Sequence, residues 1–394
     1  MHSGRKRAGK PERLDRRGRG ILESRTMDHA DANGKKAGTG GGLPFFSVVV
    51  PCCNVGTRLR GCLESLLAQP FRDWECLLAV EESEDATEAV AREFAAGDAR
   101  FRVSTGPRTG SCSVPRNRGI EDARGEHVLF LDGDDLLVPG SLARIAAGIA
   151  GRPGADLYPC ALRVRGDIAG TDGELRDNYP PGAPAEMTGP EATILSNRYR
   201  NDTPHPQMQL TVFRRAFLLE NGLRCIPGLR RQDSEFSPRA LYLARRVVPL
   251  HVCHYVYCTH PASVSASERG ADTFLGDWAV TFRSLFAFHA RVSREPGFDR
   301  RVAEGWRRLW LSRLFGYWFY PSRVRDLPRR RRAETLEILF RDGFSGLESL
   351  AAGASAPKRA ACRWVERFVR HPALRPAAEA FFRVYFALAE SRRR

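Results

Sequence analysis

The chain has 394 residues, 42% of them apolar, and a formal charge of +16 at neutral pH. That length supplies a sizeable core in one or two domains, and no run of about eighteen apolar residues is present to span a bilayer, which argues against an integral membrane protein. The charge excess gathers at the two ends without a helix-turn-helix, zinc-finger or base-stacking signature, so it invites an anionic partner such as membrane lipid or a phosphorylated substrate rather than nucleic acid.

Residues 1–42 are rich in Arg, Lys and Gly with few large apolar side chains, and a segment of that composition cannot bury enough surface to fold. They read as a disordered basic tail. No apolar stretch follows the early basic residues as it would in a secretory leader, so the expected compartment is the cytoplasm, with peripheral contact at the inner face of the membrane. The ten cysteines include the adjacent Cys52 and Cys53 but no paired C-x-x-C spacing, which points to reduced, mostly buried thiols rather than a metal or disulfide framework.

Folding is expected to begin at 45–51, a β-branched run closed by Pro51, followed by a polar loop containing Asn54. Leu59, Cys62, Leu63, Leu66 and Leu67 then recur at helical spacing. A second strand at 74–80 and a helix from Thr87 to Ala96 flank the acidic loop Glu81–Asp85. Two such units in succession predict a parallel sheet. After a third strand at 101–106, Arg116 and Asn117 are expected on a turn ahead of a helix from Ile120 to Arg124, where they could bind a diphosphate or cap the helix.

The stretch His127–Val138, HVLFLDGDDLLV, carries the chemistry. Four apolar residues form a strand buried on both faces, and they give way at once to Asp132, Asp134 and Asp135. Carboxylates crowded at a buried strand end repel one another, and a divalent cation or water relieves that repulsion. The carboxyl ends of strands are also where open α/β sheets bind ligands. The plainer alternative is a strand-to-helix turn with Asp135 or Ser141 as cap and Gly133 at the bend.

Further on, a helix is expected over 140–149, a strand or strand pair over 156–166, and a long loop over 166–190 that covers a site or meets an acceptor. A strand runs into a helix over 208–223, and Asp233 and Glu235 fall at a helix start, where the dipole favours acids without any catalytic duty. A strand ends near His260 and is followed by Ser263. From about residue 269 the pattern is helical, aromatic and basic, suited to packing as amphipathic helices or to lying on an anionic membrane.

Taken together, these peptides resemble the family 2 glycosyltransferases of GT-A fold. Residues 47–71 look like that family's opening strand and helix, with Pro51 and Asn54 in its P-x-x-N places, and 114–135 is similar to its R-N-x-G and D-x-D segments. The resemblance covers roughly residues 45–265. It implies an α/β fold, a Rossmann-like, mixed but mostly parallel sheet flanked by helices, with the catalytic domain at 43–268; the helical extension at 269–394 and the tail lie outside the resemblance. It also implies an inverting transfer from a nucleotide-sugar donor to a hydroxyl acceptor of a cell-envelope polysaccharide, glycolipid or similar compound. On that resemblance Glu81, Glu82 and Asp85 contact base and ribose, with the donor also met by Pro51, Asn54, Arg116, Asn117, Asp132, His260 and Ser263. Asp134, with Asp132, would hold Mn²⁺ or Mg²⁺, and Asp233 would be the general base.

The chain departs from the pattern at two places. The 81–85 loop lacks the family's Gly, and Gln232 stands where a Glu usually precedes the base. Ala360 stands where the Q-x-x-R-W motif of processive members needs Gln ahead of Arg363 and Trp364, which implies non-processive transfer. Two other readings compete with it. A sugar nucleotidyltransferase wants a Gly-rich triphosphate loop that PCCNVGTR does not provide, and a degenerate GT-A fold would use its basic ends only to bind membrane or polyanion.

Overall fold

The computed structural model describes residues 42–166, 173, 175–199, 207–259, 271–306, 309–310, 359–360 and 363. The first strand, β1 (Phe46–Cys52), is buried along its whole length. Its side chains face two cores: Phe46, Val48, Val50 and Cys52 pack on one side of the sheet and Val49 on the other. A strand buried on both faces must have helices above and below it, and the rest of the chain supplies them. Helix α1 (Gly56–Leu67) buries Leu59, Cys62, Leu63 and Leu66 against the first core, as their spacing predicts.

The chain continues through β2 (Trp74–Glu81), α2 (Thr87–Gly97), β3 (Phe101–Gly106), α3 (Ser113–Asp122), β4 (His127–Phe130), β5 (Leu136–Leu137), α4 (Ser141–Gly151), β6 (Leu157–Pro159), β7 (Ala161–Gly166) and β8 (Leu175–Asp177). Next come α5 (Gly189–Tyr199), a short 3₁₀ turn at Met208–Leu210, β9 (Thr211–Arg214), α6 (Arg215–Glu220), α7 (Gln232–Leu243), β10 (Cys253–Thr259) and α8 (Ala271–Val292). The main sheet has the order β3-β2-β1-β4-β9-β6. Its first four strands are parallel, β9 runs antiparallel to β4, and β6, antiparallel to β9, runs in the direction of the first four. A smaller sheet, β5-β10-β7-β8, is joined to it by the turn after β4. The expected α/β architecture, a mostly parallel sheet between helices, is what the chain adopts, and the expected strand pair at 156–166 is split between the two sheets.

Pro51 lies inside β1 rather than closing it. Leu131 donates to the Val49 carbonyl, so alternate residues of β1 face β4, and Pro51 faces the point where β4 has already ended. Its missing N–H therefore costs the ladder nothing.

The turn expected at Arg116 and Asn117 is instead the body of α3. Pro115 falls in the first turn, where its missing N–H has no intrahelical role, and Arg116 N–H bonds the Cys112 carbonyl at 3.0 Å. Gly119 sits mid-helix because any side chain there would collide with Val49 on β1. The long loop expected at 166–190 contains β8 and ends as α5 begins. Among the described residues no helix is long and apolar enough to cross a membrane.

Candidate active site

The parallel strands β1, β2 and β4 end on the same side of the sheet, and the chemistry collects there. After β4 the backbone folds into a tight turn in which Asp135 N–H bonds the Asp132 carbonyl at 3.0 Å. Gly133 packs against Val55 and the Pro51 carbonyl, which leaves no comfortable room for a side chain. Asp132 and Asp135 thereby meet different partners and do different work.

Asp135 is buried and does not cap the following helix. It accepts from the Tyr255 hydroxyl and from Cys258 N–H at 2.7 Å, pinning β10 to the turn. Burial, with Asp134 and Asp132 as like charges, pushes its pKa well above the ordinary carboxylate range. The alternative reading of the triplet as a helix cap finds no support at this residue, and Ser141 Oγ makes no hydrogen bond.

Asp132 takes the opposite role. Arg116, 1% exposed, donates to one Asp132 oxygen at 2.6 Å, and Gln209 Nε2 donates to the other at 2.6 Å. The second amino group of Arg116 reaches Asp233 at 3.2 Å. One buried guanidinium thus joins the end of β4 to the first turn of α7, two points 101 residues apart on the chain. Burial alone would lower the pKa of Arg116, but Asp132 and Asp233 more than reverse this and hold it charged. The pKa of Asp233 moves upward, because burial outweighs the opposing pull of Arg116 and Asp132 adds like-charge repulsion. Its side chain remains 27% exposed, so an incoming group can reach a carboxylate of raised basicity.

Gln232, which stands where the resembled family usually has Glu, gains a reason here. With its amide oriented to suit its neighbours, Oε1 accepts from Arg116 at 2.6 Å and the NH₂ donates to the Leu229 carbonyl at 3.0 Å. Arg116 already balances two carboxylates, and a neutral oxygen satisfies it without adding a third negative charge.

A second cluster is built from the loops after β1 and β2. Asn54 adopts a left-handed backbone conformation, φ 51°. Its N–H bonds Ser83 Oγ at 3.1 Å, and its Oδ1 accepts from Glu84 N–H at 2.9 Å, zipping the two loops together. Thr87 Oγ1 accepts from Val55 N–H and Gly56 N–H at 2.9 Å each and donates to Asp85. The first amide of α1 is thereby tied to the 81–85 loop. Within that loop Glu82 and Asp85 are exposed. Glu81 is buried and accepts from the Thr109 hydroxyl.

Of the residues marked out by sequence, Arg116, Asp132 and Asp233 meet directly, and Asp134 follows Asp132 on the same turn. Pro51, Asn54, Glu81, Glu82 and Asp85 line the adjoining strand ends. Asn117 points elsewhere: both halves of its amide are spent on the Cys225 backbone, at 2.8 Å each, where it ties α3 to the segment before α7. His260 and Ser263 lie outside the described residues. Gln209, Tyr255 and Thr87 were not singled out by the sequence. Each acts through a partner distant in the chain, and no local pattern announces such a contact.

Among the described residues no group of three or more His, Cys, Asp or Glu side chains is arranged to hold a metal. The donors present nevertheless suit a hard cation of the Mg²⁺ or Mn²⁺ kind. Such ions commonly take one or two carboxylates from the protein and complete their shell with water and substrate phosphates. Asp134 is the foremost candidate, and Asp132 retains lone pairs beyond those used by Arg116 and Gln209.

Residues 47–220 match the sequence model of glycosyl transferase family 2. YibD of Escherichia coli (strain K12), named as a glycosyltransferase, is 28% identical over 228 residues, covering 57% of this chain and 64% of its own length. EpsH of Bacillus subtilis (strain 168), also named as a glycosyltransferase, is 41% identical over 226 residues, covering 56% of this chain and 62% of its own length. The chain thus spans somewhat under two-thirds of the length of these relatives. Among solved structures, residues 1–349 of S. aureus TarS in complex with UDP-GlcNAc superpose with a TM-score of 0.60 at 19% identity, covering 85% of this chain and 91% of that TarS chain. That likeness establishes the fold as GT-A. Over residues 47–220 the chain is thus similar in sequence to glycosyl transferase family 2, and it shares the fold of TarS.

Proposed function

We propose that the protein is an inverting, non-processive glycosyltransferase that moves a sugar from a nucleoside-diphosphate sugar to a hydroxyl of a cell-envelope polysaccharide, glycolipid or similar acceptor. The observation that carries this reading is the Arg116 bridge, which holds Asp132 at the donor end of β4 and Asp233 at the start of α7 around one buried cation. The names of YibD and EpsH and the UDP-GlcNAc held by TarS support the reaction class and the donor class.

In this reading Asp233 accepts the proton of the acceptor hydroxyl as that oxygen attacks the anomeric carbon. The bond from the anomeric carbon to the diphosphate breaks, and the nucleoside diphosphate leaves with the bonding pair. A single displacement of this kind inverts configuration. Arg116 keeps Asp233 oriented, and burial keeps it basic enough to take the proton. Asp134, with Asp132, would hold a divalent cation, Mn²⁺ or Mg²⁺, whose chemistry is to neutralise the charge growing on the leaving diphosphate. Asn54 and the 81–85 loop, with Glu81, Glu82 and Asp85, form the nucleoside end.

Residues 43–268 act as the catalytic domain in this account. Residues 1–42 and the basic region 269–394 serve contact with an anionic membrane face on the cytoplasmic side, and Ala360 in place of the processive Gln supports release after one transfer. Incubating the protein with nucleotide sugars and Mn²⁺ tests the proposal. Release of nucleoside diphosphate, abolished by Asp233→Asn while donor binding persists, supports it; release of pyrophosphate would identify a nucleotidyltransferase instead.

A further inference from the structure

The 3₁₀ turn at Met208–Leu210 touches both carboxylates of the site, and Arg116 also reaches the Met208 sulfur at 3.8 Å. Met208 contributes a backbone hydrogen bond to Asp233, and Gln209 Nε2 donates to Asp132 at 2.6 Å. The turn itself is held rigidly. Cys160 N–H and the Asn178 amide both donate to the Leu210 carbonyl, at 2.7 and 3.0 Å, and the buried His254 ring bonds the Gln209 backbone.

The bond to Asp132 fixes which end of the Gln209 amide is which. A carboxylate accepts only from N–H, so Nε2 must face Asp132 and Oε1 must face away from it. Gln209 Oε1 is shielded from solvent and has no hydrogen-bond partner. A buried acceptor without a donor is costly, and such a cost is tolerated where a ligand supplies the missing donor. The atoms beside it limit what that ligand group can be. Asp132 and Asp233 would repel an anion, and in the proposed reading a divalent cation goes to the Asp134 and Asp132 carboxylates, so the group left for this amide oxygen is a neutral hydrogen-bond donor.

We propose that Gln209 is a specificity residue of the sugar subsite, with Oε1 accepting a hydroxyl of the sugar being transferred. This rests on the glycosyltransferase reading, which puts the transferred sugar between the donor end at Asp132 and the base Asp233. The same amide holds Asp132 through Nε2, so one side chain couples recognition of the sugar to the orientation of the donor-side carboxylate. A sugar lacking the hydroxyl leaves Oε1 unsatisfied, and that is how the site rejects it.

The test compares binding of a nucleoside diphosphate with binding of the corresponding nucleotide sugar and of its singly deoxygenated analogues, by calorimetry on the full chain. Wild-type protein should bind one deoxy analogue more weakly than the parent sugar by about threefold to tenfold, the range of one neutral hydrogen bond. Gln209→Met, which keeps the volume and removes both polar ends, should bind parent and deoxy analogue alike, and its ratio of nucleotide-sugar to nucleoside-diphosphate affinity should fall below that of wild type. Gln209→Lys keeps a donor toward Asp132 without the acceptor, and it should lose the same discrimination.

Equal weakening of nucleoside diphosphate and nucleotide sugar in both variants would show a purely structural role and overturn the proposal. Undiminished discrimination in the variants would overturn it as well. Failure of wild-type protein to bind any nucleotide sugar is a different result, since it removes the glycosyltransferase reading itself.

Discussion

Arg116 Nη2 stands 2.6 Å from an Asp132 oxygen, and the guanidinium making that contact is 1% exposed. Its other amino group is on Asp233, so a single buried cation neutralises both ends of the site. Removing it strands two carboxylates in a partly desolvated cleft. Arg116→Met should lower stability by about 3–5 kcal/mol, the usual cost of breaking a buried pair from one side. Arg116→Lys should fold but cannot span both partners, because a lysine presents one point charge where arginine presents a planar fork. Turnover in Arg116→Lys should fall by about a hundredfold or more, with nucleoside-diphosphate affinity changed much less. Chemical denaturation and steady-state rates check the two parts separately.

In the proposed reading Asp134 carries more of the metal-binding role than Asp132, because Asp132 is already engaged by Arg116 and Gln209. Asp134→Ala should therefore abolish the Mn²⁺ dependence of donor binding with little change in melting temperature. Titrating Mn²⁺ against protein saturated with nucleoside diphosphate reads this directly, and an unchanged metal requirement would remove Asp134 as ligand.

Burial raises the pKa of Asp233 from its ordinary value, against the opposing pull of Arg116. As the proposed base, Asp233 works only when ionised, so the acid limb of kcat/KM should lie above the ordinary carboxylate value of 3.8, with activity lost as pH falls through it. The same shift has a definite sign for stability. A folded-state pKa above the unfolded one means the fold prefers the protonated form, so this contribution is present below the unfolded value and lost as pH rises through the folded one. Asp233→Asn should remove that loss while abolishing turnover. Stability and rate measured across the acidic range in both proteins check the sign.

Glu235 is fully buried two residues beyond Asp233. It accepts from Ser284 Oγ on α8 at 2.6 Å and pairs with Arg239 at 2.6 Å. Glu235→Ala leaves Arg239 uncompensated at the joint of α7 and α8, and should cost about 3–5 kcal/mol in urea unfolding. Ser284→Ala removes one hydrogen bond and should cost about 1 kcal/mol.

Thr87 Oγ1 serves two backbone donors at the start of α1 while donating to Asp85. Thr87→Val leaves those amides without their partner. It should weaken nucleoside-diphosphate binding several-fold, with a stability loss of about 1–3 kcal/mol. Calorimetric titration of the variant with the nucleoside diphosphate measures the first effect.

What could be read from the sequence was what local pattern encodes. The β-branched run of β1, the i, i+3, i+4 spacing of Leu59, Cys62, Leu63 and Leu66, and the abrupt change from Val128–Leu131 to three aspartates each depend on neighbours in the chain. The turn expected at Arg116 was an error of the same origin. Pro115 and Gly119 read locally as breakers, whereas one occupies a first turn that tolerates it and the other is required by the approach of α3 to β1. Long-range bonds were invisible for the converse reason. Asn117 to Cys225, Gln209 to Asp132 and Tyr255 to Asp135 join positions 77 to 120 residues apart, and only the folded chain brings them together.

The central claim is that the strand-end carboxylates, bridged by Arg116, receive a nucleoside-diphosphate sugar with a divalent cation. Thermal stability of the full chain against a panel of nucleoside diphosphates and nucleotide sugars, each with and without Mn²⁺, tests it most directly. A ligand that binds only the folded state adds about 2.7 kcal/mol at a hundredfold excess over its dissociation constant. The account predicts a raised midpoint for one nucleoside class, seen only with the metal and lost in Asp134→Ala. No shift with any nucleotide, with or without metal, would contradict it and leave a GT-A fold that binds without transferring.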